Sequence, residues 1–124
     1  MASFPTEPKR PIILCVDDDS VTLRVRELFL GSAGYDVLTA TSCEAALEAF
    51  RQNPVDLVIA DHFLSDTTGT EIARAMKDLK PQVPILIVSG GPEEPDGLEF
   101  ADSFLAKSEA PEVLLTTMAR LLKT

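Results

Sequence analysis

Short, unbroken apolar runs alternate along this chain with stretches whose apolar residues recur every three or four positions. The continuous run Ile12–Val16 (IILCV), rich in β-branched residues, predicts a strand buried on both faces. Similar runs predict strands over Tyr35–Ala40, Asp56–Ala60, Ile85–Val88 and Ser103–Ala106. Between them lie helical patterns. Asp19 or Ser20 caps a helix through about Ala33, with Val21, Val25 and Leu28 on one face. Thr41 and Glu44 form a capping box for a helix through Gln52, with Ala46, Leu47 and Phe50 turned inward. Ile72, Met76 and Leu79 mark a third helix. Pro111 suits the first turn of the last one, whose apolar face is Leu114, Met118, Leu121 and Leu122. Strand and helix alternate from end to end, which predicts an α/β fold: a parallel sheet with helices on both faces.

One crossover breaks the pattern. Residues 90–97 read GGPEEPDG, and their prolines and glycines oppose a regular helix. Only Leu98–Ala101 can form a helical turn there, so the fourth helix is expected to be shortened or irregular. Before the first strand, Met1–Arg10 reads as a flexible arm, leaving 11–124 as the single domain.

Polar residues stand where the strands end. Asp17, Asp18 and Asp19 follow the first, Asp61 the third, Ser89 the fourth and Lys107 the fifth. In an open parallel sheet these ends share one edge, where ligands bind. If the first and third strands are neighbours, Asp17, Asp18 and Asp61 crowd together, and like charges so close repel unless a cation intervenes. Mg²⁺ suits oxygen ligands of this kind. An Asp beside it can attack a phosphoryl donor and form an acyl phosphate. Lys107 and Ser89 would then offset charge on the phosphoryl oxygens. Taken singly, each residue has a plainer role: an Asp after a strand caps a helix, as Asp19 does here, and Ser89 before two glycines fits a turn. Their joint occurrence at four strand ends favours the site.

Composition narrows the partners. The net charge of −9 argues against nucleic acid, whose phosphates require Lys and Arg. No apolar run is long enough to span a bilayer, and Asp17–Asp19 interrupt the one run that could pass for a signal peptide. Cys15 and Cys43 lack metal spacing and read as packed, reduced thiols of a cytoplasmic protein.

The ordered set Asp17–Asp18, Asp61, Gly69 eight residues later, Ser89 and Lys107 resembles the receiver domain of two-component response regulators. The likeness runs from about Pro11 to Lys123. It implies a doubly wound, five-stranded parallel sheet of order 2-1-3-4-5, as in flavodoxin-like folds. It implies that Asp61 accepts a phosphoryl group from a histidine kinase or histidine phosphotransfer protein. Asp18, Asp61 and the backbone carbonyl of Phe63 would ligate Mg²⁺, and Asp17 would hold a metal-bound water. Lys107 would pair with the phosphoryl group while Ser89 and Phe104 switch position. Such a chemotaxis-type regulator would stand alone, as a monomer or weak dimer, and signal through a downstream protein target. It would be no enzyme beyond catalysing its own phosphorylation and dephosphorylation.

The chain departs from that family in places. Ser108 replaces the usual Pro after the Lys, which predicts a trans bond and a less firmly held Lys107, since a non-proline cis bond costs ~3 kcal/mol. Leu64-Ser65 stands where Met-Pro is usual. Phe63 and Gly91 flank the expected phosphoryl site, and a bulky Phe63 would slow hydrolysis. His62, the only histidine, reads as a partly exposed loop residue. Two other readings compete. DDDSV also resembles the nucleophile motif of haloacid-dehalogenase-type phosphatases, with Asp17 as nucleophile and Asp19 as general acid, but that leaves Asp61 unexplained. A pseudo-receiver that binds partners without phosphorylation is the other.

Overall fold

Each strand forms where apolar side chains can be buried on both faces of one sheet. The computed structural model describes residues 10–90 and 98–122. Strands β1 (Ile12–Val16), β2 (Asp36–Ala40), β3 (Leu57–Asp61), β4 (Ile85–Ser89) and β5 (Ser103–Ala106) pair in parallel in the order β2-β1-β3-β4-β5. Helices α1 (Ser20–Ser32), α2 (Cys43–Gln52), α3 (Gly69–Leu79) and α4 (Pro111–Leu122) cover them. The strand period of two divides the core into two layers. Ile13, Cys15, Leu57, Ile59 and Leu86 pack with Leu23 and Leu30 of α1 and Met118 of α4. Leu14, Val58, Ile85 and Ile87 pack with Phe50 of α2 and Ile72 and Met76 of α3 on the other face. No helix of the described residues is long and apolar enough to cross a membrane.

The sequence patterns identify the elements better than their faces. On α1, Val21, Val25 and Leu28 are 69%, 62% and 58% exposed, and Leu23 and Leu30 are buried in their place. Both sets have helical spacing, so periodicity alone does not choose between them. Leu79 is likewise 43% exposed at the end of α3, where Ala73 rather than Leu79 joins Ile72 and Met76 inside. The cap of α2 is Ser42, not Thr41: its hydroxyl accepts from the Ala45 N–H at 3.1 Å. Strand β3 begins one residue later than expected and takes in Asp61, and β4 takes in Ser89.

Polar ties hold the edge opposite the site. Arg10 donates to the carbonyls of Gly31 and Tyr35 at 2.9 Å and pairs with Asp36 at 3.0 Å, so the chain is anchored just before β1. Asp102 accepts from Lys77 and from the Ile85 N–H, both at 2.7 Å, joining α3 to the start of β4. Of the arm expected over 1–10, residues 1–9 lie outside the described residues while Arg10 is tied as above, and of the irregular stretch over 90–97, residues 91–97 lie outside them. Leu98–Phe100 forms a single 3₁₀ turn, as anticipated.

Candidate functional site

Because β1 and β3 are neighbours, the carboxylates that follow them meet. Val16 pairs with Ala60, which brings Asp17 beside Asp61. Both are buried, at 1% and 5% exposure, while Asp18 is exposed. One carboxylate oxygen from each of Asp17, Asp18 and Asp61 lies within 4.8 Å of the others. Three hard anionic donors at that separation fit a divalent cation such as Mg²⁺, which coordinates oxygen and keeps waters when carboxylates are few. The members are held in place. Asp17 Oδ1 accepts from the Asp19 N–H at 2.9 Å, and the Phe63 N–H donates to Asp61 Oδ1 at 3.3 Å.

Lys107 enters from β5. Its Nζ donates to Asp17 Oδ2 at 3.1 Å and to Asp61 Oδ2 at 3.0 Å. Partial burial pushes this ammonium down, but its hydrogen bonds to Asp61 and Asp17 outweigh that and hold it above the usual lysine range. The bond from Lys107 to Ser108 is trans, and the two carboxylates hold the ammonium. Its own N–H donates to the Ser89 carbonyl at 2.8 Å, which carries the β4–β5 ladder to the site. Ser89 is buried at this edge, and Phe104 lies half-buried in β5 opposite Ile87, against the α2–α3 layer. Asp19 stands apart as the α1 cap. The Thr22 hydroxyl, and then the Val21 N–H, hold its carboxyl below the usual range.

His62 is corrected by the structure. It is buried, at 8% exposure, with no hydrogen-bond partner for Nδ1 among the described residues. Its backbone N–H bonds the Val88 carbonyl and its carbonyl accepts from the Gly69 N–H, so the sheet continues past Asp61 and the chain folds back on that strand end. The ring packs edge-on to Phe63, with centroids 4.7 Å apart, and Phe63 itself is 60% exposed. Asp66 was not anticipated. Its Oδ2 accepts from the Cys43 N–H at 3.2 Å. Sequence gave no signal for it, because the partner lies 23 residues away. The buried Cys15 thiol is pushed up to about 12, mainly by burial.

Residues 13–119 match the response regulator receiver domain family. Among curated relatives, the alkaline phosphatase synthesis transcriptional regulatory protein PhoP of Bacillus subtilis is 31% identical over 115 residues, covering 90% of this chain and 48% of that protein. The transcriptional regulatory protein AruR of Pseudomonas aeruginosa is 32% identical over 122 residues, covering 91% and 50%. The chain spans about half, or less, of the length of the curated relatives it matches. Among solved structures, a CheY-like receiver domain protein from Methanospirillum hungatei has a TM-score of 0.86 at 27% identity, covering 93% of this chain and 95% of that one. The response regulator TrrA of Thermotoga maritima, in complex with Mg²⁺ and BeF, has a TM-score of 0.84 at 26% identity, covering 90% and 98%.

Proposed function

The chain belongs to the response regulator receiver domain family, and from that premise we propose that Asp61 accepts a phosphoryl group in a Mg²⁺-dependent reaction. The donor is a histidine kinase or a histidine phosphotransfer protein. One observation carries the reading: Asp61 is buried among Asp17 and Asp18, with the Lys107 ammonium 3.0 Å from its Oδ2. That arrangement supports a nucleophilic carboxylate whose surroundings tolerate added negative charge. A carboxylate oxygen of Asp61 attacks phosphorus, the bond from phosphorus to the donor's histidine nitrogen breaks, and an acyl phosphate forms. Asp17, Asp18, Asp61 and the Phe63 carbonyl would hold Mg²⁺, which when bound would offset charge on the phosphoryl oxygens. Lys107 pairs with the phosphoryl group, Ser89 donates to it, and Phe104 turns inward behind Ser89. Two arrangements of these residues are thereby biased by one covalent group.

The family is a signalling module rather than a conventional enzyme. The complete charged set does not favour a pseudo-receiver, and the position of Asp61 does not favour a phosphatase using Asp17. The test is intact mass after incubation with acetyl phosphate. A gain of one phosphoryl group with Mg²⁺, and none with a chelator, is the expected result. No gain by the folded protein with Mg²⁺ present would sink the reading.

Partner choice falls to α1. Val21, Val25 and Leu28 form an exposed apolar stripe, and Val21 and Val25 also line a cleft of about 460 Å³ whose walls include Lys107. An apolar patch beside the acceptor is the surface a protein donor would cover. Val25→Glu, at a position that is exposed in the free protein, is expected to leave acetyl phosphate labelling unchanged. It is expected to slow transfer from the cognate histidine donor about tenfold or more, a loss of ~1.4 kcal/mol. Equal rates from the protein donor would place docking elsewhere.

Phe63 governs the return reaction. It is exposed and lies two residues after the acceptor Asp61, whose carboxylate accepts from its N–H. Phe63→Asn is expected to speed dephosphorylation about fivefold, ~1 kcal/mol of barrier. An unchanged decay of the phosphorylated form, followed by mass, would remove Phe63 from that role.

A further inference from the structure

We propose that Asp66 is a positioning residue for the metal-binding loop. The inference rests on the reading above, in which the Phe63 carbonyl is a metal ligand. Loop 63–68 joins β3 to α3. Its ends are tied to each other: the Gly69 N–H bonds the His62 carbonyl at 2.9 Å, the Leu64 N–H bonds Thr67 at 3.2 Å, and Phe63 bridges Thr68. These bonds shape the loop but do not place it on the rest of the fold. Two contacts do. Leu64 packs half-buried against the core layer that includes Cys43 and Leu47. The Asp66 carboxylate accepts from the Cys43 N–H, the first amide of α2.

That amide is one of the four that a helix leaves without an internal partner at its N-terminus. Ser42 satisfies Ala45, so its hydroxyl is committed elsewhere, and the Asp66 carboxylate serves Cys43. The helix dipole favours a negative group there. The loop that carries the Phe63 carbonyl is thus clamped to the end of α2 as well as to its own strand. Groups that orient a metal ligand without touching the metal typically cost about 10- to 100-fold in affinity when removed. The Cys43 thiol reports on the clamp: burial first, then the Asp66 charge, push it above its ordinary value.

The experiment compares the wild type with Asp66→Ala and Asp66→Asn. Mg²⁺ affinity is measured by titration calorimetry, and the pH profile of Cys43 by its reaction with a thiol reagent, Cys15 being buried. Asp66→Ala is expected to weaken Mg²⁺ binding about tenfold and to shift the Cys43 profile down. Asp66→Asn, which keeps an acceptor for the Cys43 N–H but drops the charge, is expected to restore most of the Mg²⁺ affinity while the Cys43 profile stays down. Wild-type affinity in Asp66→Ala would overturn the proposal. Equal losses in both variants would also overturn it, because they would assign the effect to charge rather than to position. If the wild type itself bound no Mg²⁺, the metal reading would fall and this inference with it.

Discussion

Asp61→Asn is expected to abolish phosphoryl incorporation from acetyl phosphate at saturating Mg²⁺, with no residual gain in mass. The amide keeps the volume of the carboxylate but is no nucleophile toward phosphorus. It also removes one of the three anionic donors that lie within 4.8 Å of one another, and with it part of the cation affinity. The variant is expected to stay folded. Lys107 keeps its bond to Asp17 Oδ2, and one negative charge is lost from a crowded carboxylate cluster. The same substitution separates the competing chemistries. A phosphatase with Asp17 as nucleophile would still take up a phosphoryl group, since Asp17 is intact. Incorporation at the wild-type rate in Asp61→Asn would therefore move the acceptor away from Asp61 and revive that alternative.

Gly69→Ala is expected to damage both stability and site, for a steric reason. A Cβ at this position would stand 2.6 Å from the Asp61 carbonyl oxygen, 3.0 Å from His62 Cα and 3.1 Å from the Asp61 carbonyl carbon. All three are backbone atoms, so no side chain can swing aside. The start of α3 must retreat, which breaks the Gly69 N–H bond to the His62 carbonyl and shifts the residues beside the acceptor. Overpacking of this kind costs ~1–3 kcal/mol. A displacement of about 1 Å among reacting groups costs about a hundredfold in rate. Thermal unfolding and labelling with acetyl phosphate would check the two effects. Gly34→Ala is the control. Gly34 has φ +104 with nothing within 4 Å of a Cβ, so its substitution strains the turn after α1 without crowding any neighbour. It is expected to lower stability and leave the labelling rate of the folded protein unchanged. Equal labelling by Gly69→Ala and the wild type would show that the close approach does not serve the site.

The residues that carry these predictions were legible in the sequence to different degrees. Asp17, Asp18, Asp61, Ser89 and Lys107 stand out because each follows a buried strand, and parallel strands bring their C-terminal ends to one edge. Gly69 stands out by its spacing from Asp61, yet the reason for a glycine appears only once α3 is seen lying against the β3 carbonyl. His62 was misjudged because extended backbone alone sets the direction of a side chain, not what folds over it. The contacts that hold Lys107 are not local: Asp17 and Asp61, on other strands, accept from its ammonium.

By itself, the sequence determined the alternation of strand and helix, the two-sided burial of the central strands and the identity of the charged set. Those features are local: continuous apolar runs, caps and turn residues act over a few positions and need no knowledge of neighbours. Only the tertiary structure decided which face of α1 is inside, since two stripes of equal spacing compete and the sheet selects Leu23 and Leu30. It alone decided that His62 is covered, that Lys107 spans two carboxylates and that Asp66 reaches Cys43. Each of these depends on groups far apart in the chain, and which of them meet is set by strand order and register rather than by local pattern.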